Sequence, residues 1–321
     1  MRFGVLIPHF GEYASMENII EASRRIEEMG FDSVWVRDHI IWKPHGMEGT
    51  NITFVEPFIT LAAVGAVTKR IELGTAVLIP IRWPLKVAQN FASLSFLTGG
   101  RVVAGVGLGS NPAEFAAAGF RIEDKEDILR ETTEIVRLVW NSNGVSYRGK
   151  VFSFEDISIE PKPVRPVPLV YGGTTRASVR RAVKYTEGWL PGRIPLATMD
   201  DRLRLLRRLA ADEGKTMRVG TIPLVRIDRD RGRARDGVDI RALAESSAGA
   251  THWVLPPSGG FHTLEDLEGL LVAGNPDDCT RAVEEFMVRG VDDFIVDLRL
   301  DYDRYIEKLE LFAETVLPVF R

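Results

Sequence analysis

Short apolar runs alternate with helix-like segments along most of the chain, and this alternation limits the fold more than any other feature. RFGVLI (2–7) precedes SMENIIEASRRIEEMGF, and SVWVR (33–37) precedes PFITLAAVGAVTK (57–69). IELGTAVLI (71–79) precedes PLKVAQNFASLSFLTGG, and RVVAGVGLG (101–109) precedes a helical stretch over 112–140. Four strand–helix units in succession point to a parallel sheet with its helices outside. The helix-end signals agree. Ser15 is placed to cap the first helix, with Glu17 in its first turn and Gly30 as its stop. Near the C-terminus Asn275 caps, Pro276 takes the first helical position and Gly290 ends the helix.

The second half is less regular. LVYGG (169–173), GWLPG (188–192), VGTIPLVRI (219–227) and DDFIVDL (292–298) are further strand candidates. THWVL (251–255) makes nine, but it sits in a Gly- and Ser-rich region, and an α/β barrel has eight places. We therefore assign THWVL to an insertion at about 228–272. VSYRGKVFSFEDISIEPKP reads as a hairpin between strands 4 and 5, with polar turns at Gly149 and Asp156. The expected architecture is a (β/α)8 TIM barrel of the α/β class with inserted loops, one domain over 1–321. The length of 321 residues fits a barrel of roughly 250 residues plus insertions.

Composition narrows the function. A net charge of −4 without a basic segment argues against nucleic acid as a partner. No apolar stretch approaches the ~18 residues of a membrane span, and the apolar run before Pro8 is too short for a signal peptide. The single cysteine, Cys279, fits a reducing compartment, so the expected location is cytoplasmic. The five histidines (9, 39, 45, 252, 262) form no metal-binding pattern, so no metal is expected.

In a parallel barrel the strand C-termini face the catalytic mouth, and four segments there carry chemistry. Arg37, Asp38 and His39 follow the second strand. Gly74 and Thr75 interrupt the third, where glycine marks a bulge or a close ligand approach. GVGLGSNPAEF (105–115) follows the fourth; Ser110 stands where a dinucleotide fingerprint needs its last glycine. Asn111, Pro112 and Glu114 there have the spacing of N-cap, N1 and N3, so Glu114 is either a capping residue or one that faces a ligand. YGGTTRASVRRA (171–182) offers glycine-opened amides, a helix start and Arg176 as an anion cradle. Trp42, in the long loop 40–56, is a candidate substrate-pocket wall.

Taken together these segments resemble the bacterial luciferase-like monooxygenase superfamily, in its branch using the deazaflavin coenzyme F420. The resemblance rests on MRFGVLIP, GFDSVWVRDH (30–39), IELGTAVLIPIRWPLKVAQNFASL (71–94), GGRVVAGVGLG (99–109), YRGKVFSF with PKPVRPVPLVYGG (147–173), and GNPDDCTRAVEEFMVRGVDDFIVDL (274–298). It implies a TIM barrel, often dimeric, with the coenzyme in its mouth. Asp38 and His39 would meet the ring, and Thr75–Ala76 would form a bulge behind it, often with a non-proline cis peptide. Gly107 would line the ring, and Gly172, Gly173 and Thr174 would bind the phosphate. One departure stands out: Trp42 follows His39 by three residues, where the sugar-phosphate dehydrogenases of the branch have four.

The implied reaction is hydride transfer between the deazaflavin and a small organic substrate, with His39 as first and Glu114 as second candidate for proton transfer. Two alternatives stay open. One is a monooxygenase using reduced FMN and oxygen; the other is a non-catalytic flavin or deazaflavin binding protein. Arg176 and the basic helix after it favour F420, whose tail carries extra carboxylates.

Overall fold

The computed structural model describes residues 1–44, 49–245 and 250–321. His45 lies outside the described residues, as do 46–48 of the loop after the second strand and 246–249 of the 228–272 segment.

Eight parallel strands close into a barrel: β1 (Arg2–Leu6), β2 (Ser33–Val36), β3 (Glu72–Thr75), β4 (Val102–Val106), β5 (Leu169–Gly172), β6 (Gly188–Leu190), β7 (Arg218–Thr221) and β8 (Asp293–Val296). Their order around the barrel is sequential, and β8 pairs with β1 to close it. Helices cover the outside, so this is the TIM-barrel fold. THWVL supplies no strand; Ala250–His252 is a 3-10 turn. VGTIPLVRI divides. Its first half is β7, while Leu224–Ile227 leaves the barrel and pairs in parallel with Leu271–Gly274.

The barrel interior is filled by Leu6, Trp35, Val103, Val170, Leu190, Ile222 and Ile295. Trp35 dictates its neighbours. A Cβ on Gly74 would lie 2.2 Å from its ring, and one on Gly4 would lie 2.7 Å from its Nε1. Ser33 accepts the indole N–H at 2.8 Å, so the buried donor is satisfied.

The hairpin between β4 and β5 pairs Val145–Arg148 with Ser153–Ile157. Its turn is held by Glu131, fully buried, whose carboxylate accepts from the amides of Lys150, Val151 and Phe152 at 2.7–3.0 Å. Asp156 is a left-handed residue inside the second strand rather than a turn. The helix expected over 112–140 is two, Pro112–Ala117 and Lys125–Asn141, because Gly119 takes φ +78° between them. Asn275 and Asp278 complete a reciprocal capping box. Cys279 is buried behind it, which pushes its thiol up to about 12. Among the described residues no helix is long and apolar enough to cross a membrane.

Candidate active site

At the end of β2 the three ionisable residues part company. Asp38 is 3% exposed. Its Oδ2 accepts from the Ile79 amide at 2.9 Å, and its two oxygens grip the Arg82 guanidinium at 2.5 and 2.7 Å. Asp38 borders the mouth cavity, but both oxygens are engaged. These bonds fix the segment after β3, while Asp38 still lines the cavity. Arg37 lays its guanidinium over Trp42 and Phe10, 4.5 and 4.7 Å from the ring centroids.

His39 turns toward Glu114, from whose carboxylate oxygens its Nδ1 lies 3.2 and 3.3 Å. The Ile40 and Ile41 amides donate to the same carboxylate at 2.9 and 3.3 Å. Burial works against the ionised Glu114, but the His39 bond and charge and the Ile41 and Ile40 amides outweigh it and hold its pKa below the usual range. With Glu114 ionised, Nδ1–H of His39 is the donor, and the opposite ring nitrogen is left for other work. Asn111 does cap the short helix, accepting from Ala113 at 3.1 Å. Glu114 sits at N3, yet its carboxylate is spent on the 39–41 loop, so the capping-box reading of Glu114 is set aside.

Trp42 packs behind His39 rather than beside the cavity. It is 5% exposed, with ring centroids 5.1 Å from His39, 5.4 Å from Phe10 and 5.5 Å from Phe54. In this position Trp42 supports the His39 ring.

Thr75 is also redirected. It is fully buried and its hydroxyl donates to the Gly105 carbonyl at 2.7 Å, tying β3 to β4. The residues that face the mouth are Ala76 and Val77, joined by a cis peptide bond. Val77 explains two glycines: a Cβ on Gly107 or Gly172 would fall 2.6 or 2.7 Å from its methyl groups. Gly107 thus seats the Val77 side chain.

A cavity of about 500 Å³ opens between these elements, lined by Arg37, His39, Lys43, Ala76, Val77, Ile79, Ser110, Asn111 and Glu114, among others. Its volume is in the range of small-molecule and cofactor sites. An apolar floor with a polar and cationic rim suits a flat ring system with polar edges and an anionic tail.

Gly172 ends β5, and Gly173 and Thr174 follow it, so all three open at the same end of the barrel as the loop after β2. Gly173 has φ +128°, and a Cβ there would meet the Ser178 hydroxyl at 2.6 Å, so the turn into the helix Arg176–Tyr185 requires glycine. Thr175 is the cap, accepting from the Ser178 amide at 3.1 Å. The first helical amides have no intrahelical acceptor and suit an anion. Arg176, however, is paired with both oxygens of Asp201 at 2.6 and 2.7 Å. Arg202, 3% exposed and paired with the same Asp201, backs the loop: it donates from Nε to the Thr174 carbonyl at 3.0 Å and from a terminal nitrogen to the His252 carbonyl at 2.6 Å.

Arg82, Val77 and Arg202 were not legible as site residues. Arg82 stands within the mouth segment IPIRWP, the one local hint; Arg202 sits in an ordinary amphipathic helix and gives none.

The family model described as luciferase-like monooxygenase matches residues 1–293. An F420-dependent glucose-6-phosphate dehydrogenase of Amycolatopsis mediterranei (strain U-32) is 28% identical over 321 residues, covering 95% of this chain and 94% of that protein. The protein of the same name from Nakamurella multipartita is 32% identical over 247 residues, covering 73% of this chain and 72% of that one. Among solved structures, an F420-dependent secondary alcohol dehydrogenase with an F420–acetone adduct superposes with a TM-score of 0.82 at 22% identity, over 100% of this chain and 99% of the other.

Proposed function

The chain belongs to the luciferase-like monooxygenase family, and from that premise we propose that it is an oxidoreductase that binds coenzyme F420 in the barrel mouth and exchanges a hydride with a small organic substrate. The observation that carries this reading is the His39–Glu114 pair opening onto a cavity floored by Ala76 and Val77. The names of the F420-dependent relatives support the choice of cofactor.

The coenzyme supplies the hydride chemistry when bound; the chain orients it and handles protons. Ala76, Val77 and Ile79 would carry the ring on an apolar surface that excludes water. The loop at Gly172, Gly173 and Thr174, with Arg202 behind it, would take the phosphate. His39, its Nδ1 proton held by Glu114, would present its other nitrogen to the substrate and give or take a proton there. Glu114 would keep the imidazole in one tautomer and orientation. His39→Ala should then cut kcat by about 10²–10⁴-fold with coenzyme affinity much less changed. Loss of affinity at unchanged kcat would reassign His39 to cofactor binding.

The same proposal extends to organisation. The whole chain would serve as one barrel domain with 228–272 as an insertion, working in the reducing cytoplasm that suits a buried lone cysteine. Two copies would pair through the outward face of helix Pro57–Val67, where Ile59 is 67% exposed beside exposed Ala62 and Ala66. Sedimentation of wild type against Ile59→Glu tests the dimer.

A further inference from the structure

We propose that His9 is a positioning residue for this reaction: its ring ties the backbone at Arg37 to the segment 53–55 and so sets where His39 stands over the cavity. The proposal rests on the reading of His39 as the proton-transfer group.

His9 follows β1 at the mouth and is fully buried. Its Nδ1 lies 2.9 Å from the Val55 carbonyl, which can only accept, so Nδ1 carries the proton. Its Nε2 lies 2.8 Å from the Arg37 amide, which can only donate, so Nε2 is the bare acceptor. The two partners together specify a neutral ring in one tautomer. A protonated ring would set an N–H against the Arg37 N–H. The ionisable groups facing the ring are Arg37 and His39, and both oppose a second positive charge.

Two paths lead from this ring to His39. The backbone path is short, since Arg37 precedes His39 by two residues. The side-chain path runs through Phe54, whose ring meets His9 edge-on at 4.8 Å and His39 edge-on at 5.5 Å. The segments are also laced by main-chain bonds, Val55 N–H to the His9 carbonyl at 2.9 Å and Gly11 N–H to the Thr53 carbonyl at 2.8 Å. Glu114 therefore fixes His39 from its Nδ1 edge, while the His9–Phe54 contact and Trp42 fix the position of its ring.

Nitrogen-15 NMR of the histidine-labelled protein without coenzyme tests the first step. His9 should stay neutral with its proton on Nδ1 between about pH 5.5 and 8, where an ordinary imidazole titrates. An Nε2–H tautomer, or titration of His9 inside that range, overturns the proposal. Two variants test the second step. His9→Phe keeps bulk and loses both bonds, whereas the side-chain carbonyl of His9→Gln can still accept the Arg37 N–H. In His9→Phe, kcat should fall on the order of tenfold to a hundredfold with KM within about twofold, and the His39 titration midpoint should move. His9→Gln should restore most of both. A folded His9→Phe with wild-type kcat and an unmoved His39 midpoint overturns the proposal. Wild-type turnover in His39→Ala overturns it too, together with the reading on which it rests, whatever the His9 tautomer.

Discussion

Replacing Glu114 by alanine removes one buried carboxylate and three hydrogen bonds at once, to His39 Nδ1 and to the Ile40 and Ile41 amides. Bonds to a charged acceptor contribute about 1.5–3 kcal/mol each. Ile40 is 47% exposed, so its amide can find water once freed, and the low end of that range applies. Three such bonds come to ~4.5 kcal/mol, or about three decades in the local opening equilibrium. Glu114→Gln is a sharper probe than Ala. Its carbonyl oxygen can still accept from the two amides, while the charge facing His39 is gone, so only about 1.5–3 kcal/mol should be lost. Hydrogen exchange at Ile40 and Ile41 reads both variants directly. Protection should drop by about 10³-fold in Glu114→Ala and by only about ten- to a hundredfold in Glu114→Gln, whose turnover nonetheless falls because the His39 tautomer is no longer held. Equal exchange in Glu114→Ala and wild type would refute the carboxylate as the anchor of the loop, and unchanged turnover in Glu114→Gln would refute its role through His39.

Two more outcomes follow from the packing and the buried imidazole. Gly172→Ala places a methyl 2.7 Å from Val77 and should destabilise by about 1–3 kcal/mol; adding Val77→Ala should recover part of that loss, and denaturant unfolding of the double variant checks the coupling. Burial lowers the His9 pKa to about 3, from an ordinary 6.5. In that window the unfolded chain binds the extra proton, so stability falls as pH falls, by about 1.4 kcal/mol per pH unit below 6.5 from this group. Glu114, also held below its ordinary 4.5, adds to the loss only as pH drops further, through its folded value. Urea titrations of wild type and His9→Gln should show a shallower acid slope in the variant.

All eight barrel strands were legible because each is a short apolar run covered on both faces, bounded by glycine or charge. THWVL failed that standard, since Gly- and Ser-rich sequence surrounds it. The run 71–79 overstated its strand because apolar composition does not record the turn after Thr75. The site was half legible. Mouth residues follow from strand order, so His39, Glu114 and the Gly172–Thr174 loop could be named. What each polar group pairs with is set by tertiary approach: Asp38 meets Arg82 44 positions away, and Arg176 meets Asp201 across two helices. No local pattern reports such partners, so the sequence alone does not show which charges are paired. The packing of Trp42 is hidden for a similar reason, because the aromatic cluster that buries it is assembled from β1's exit and the return of the 40–56 loop.

The claim on which everything turns is that the barrel mouth accepts a deazaflavin. Parallel absorbance titrations of the purified protein with F420 and with FMN decide it most directly. The account predicts a saturable spectral change with F420, weakened by Gly173→Ala, and a much weaker response to FMN. Tight FMN binding with oxygen consumption in the reduced state, or no response to either cofactor, would contradict it.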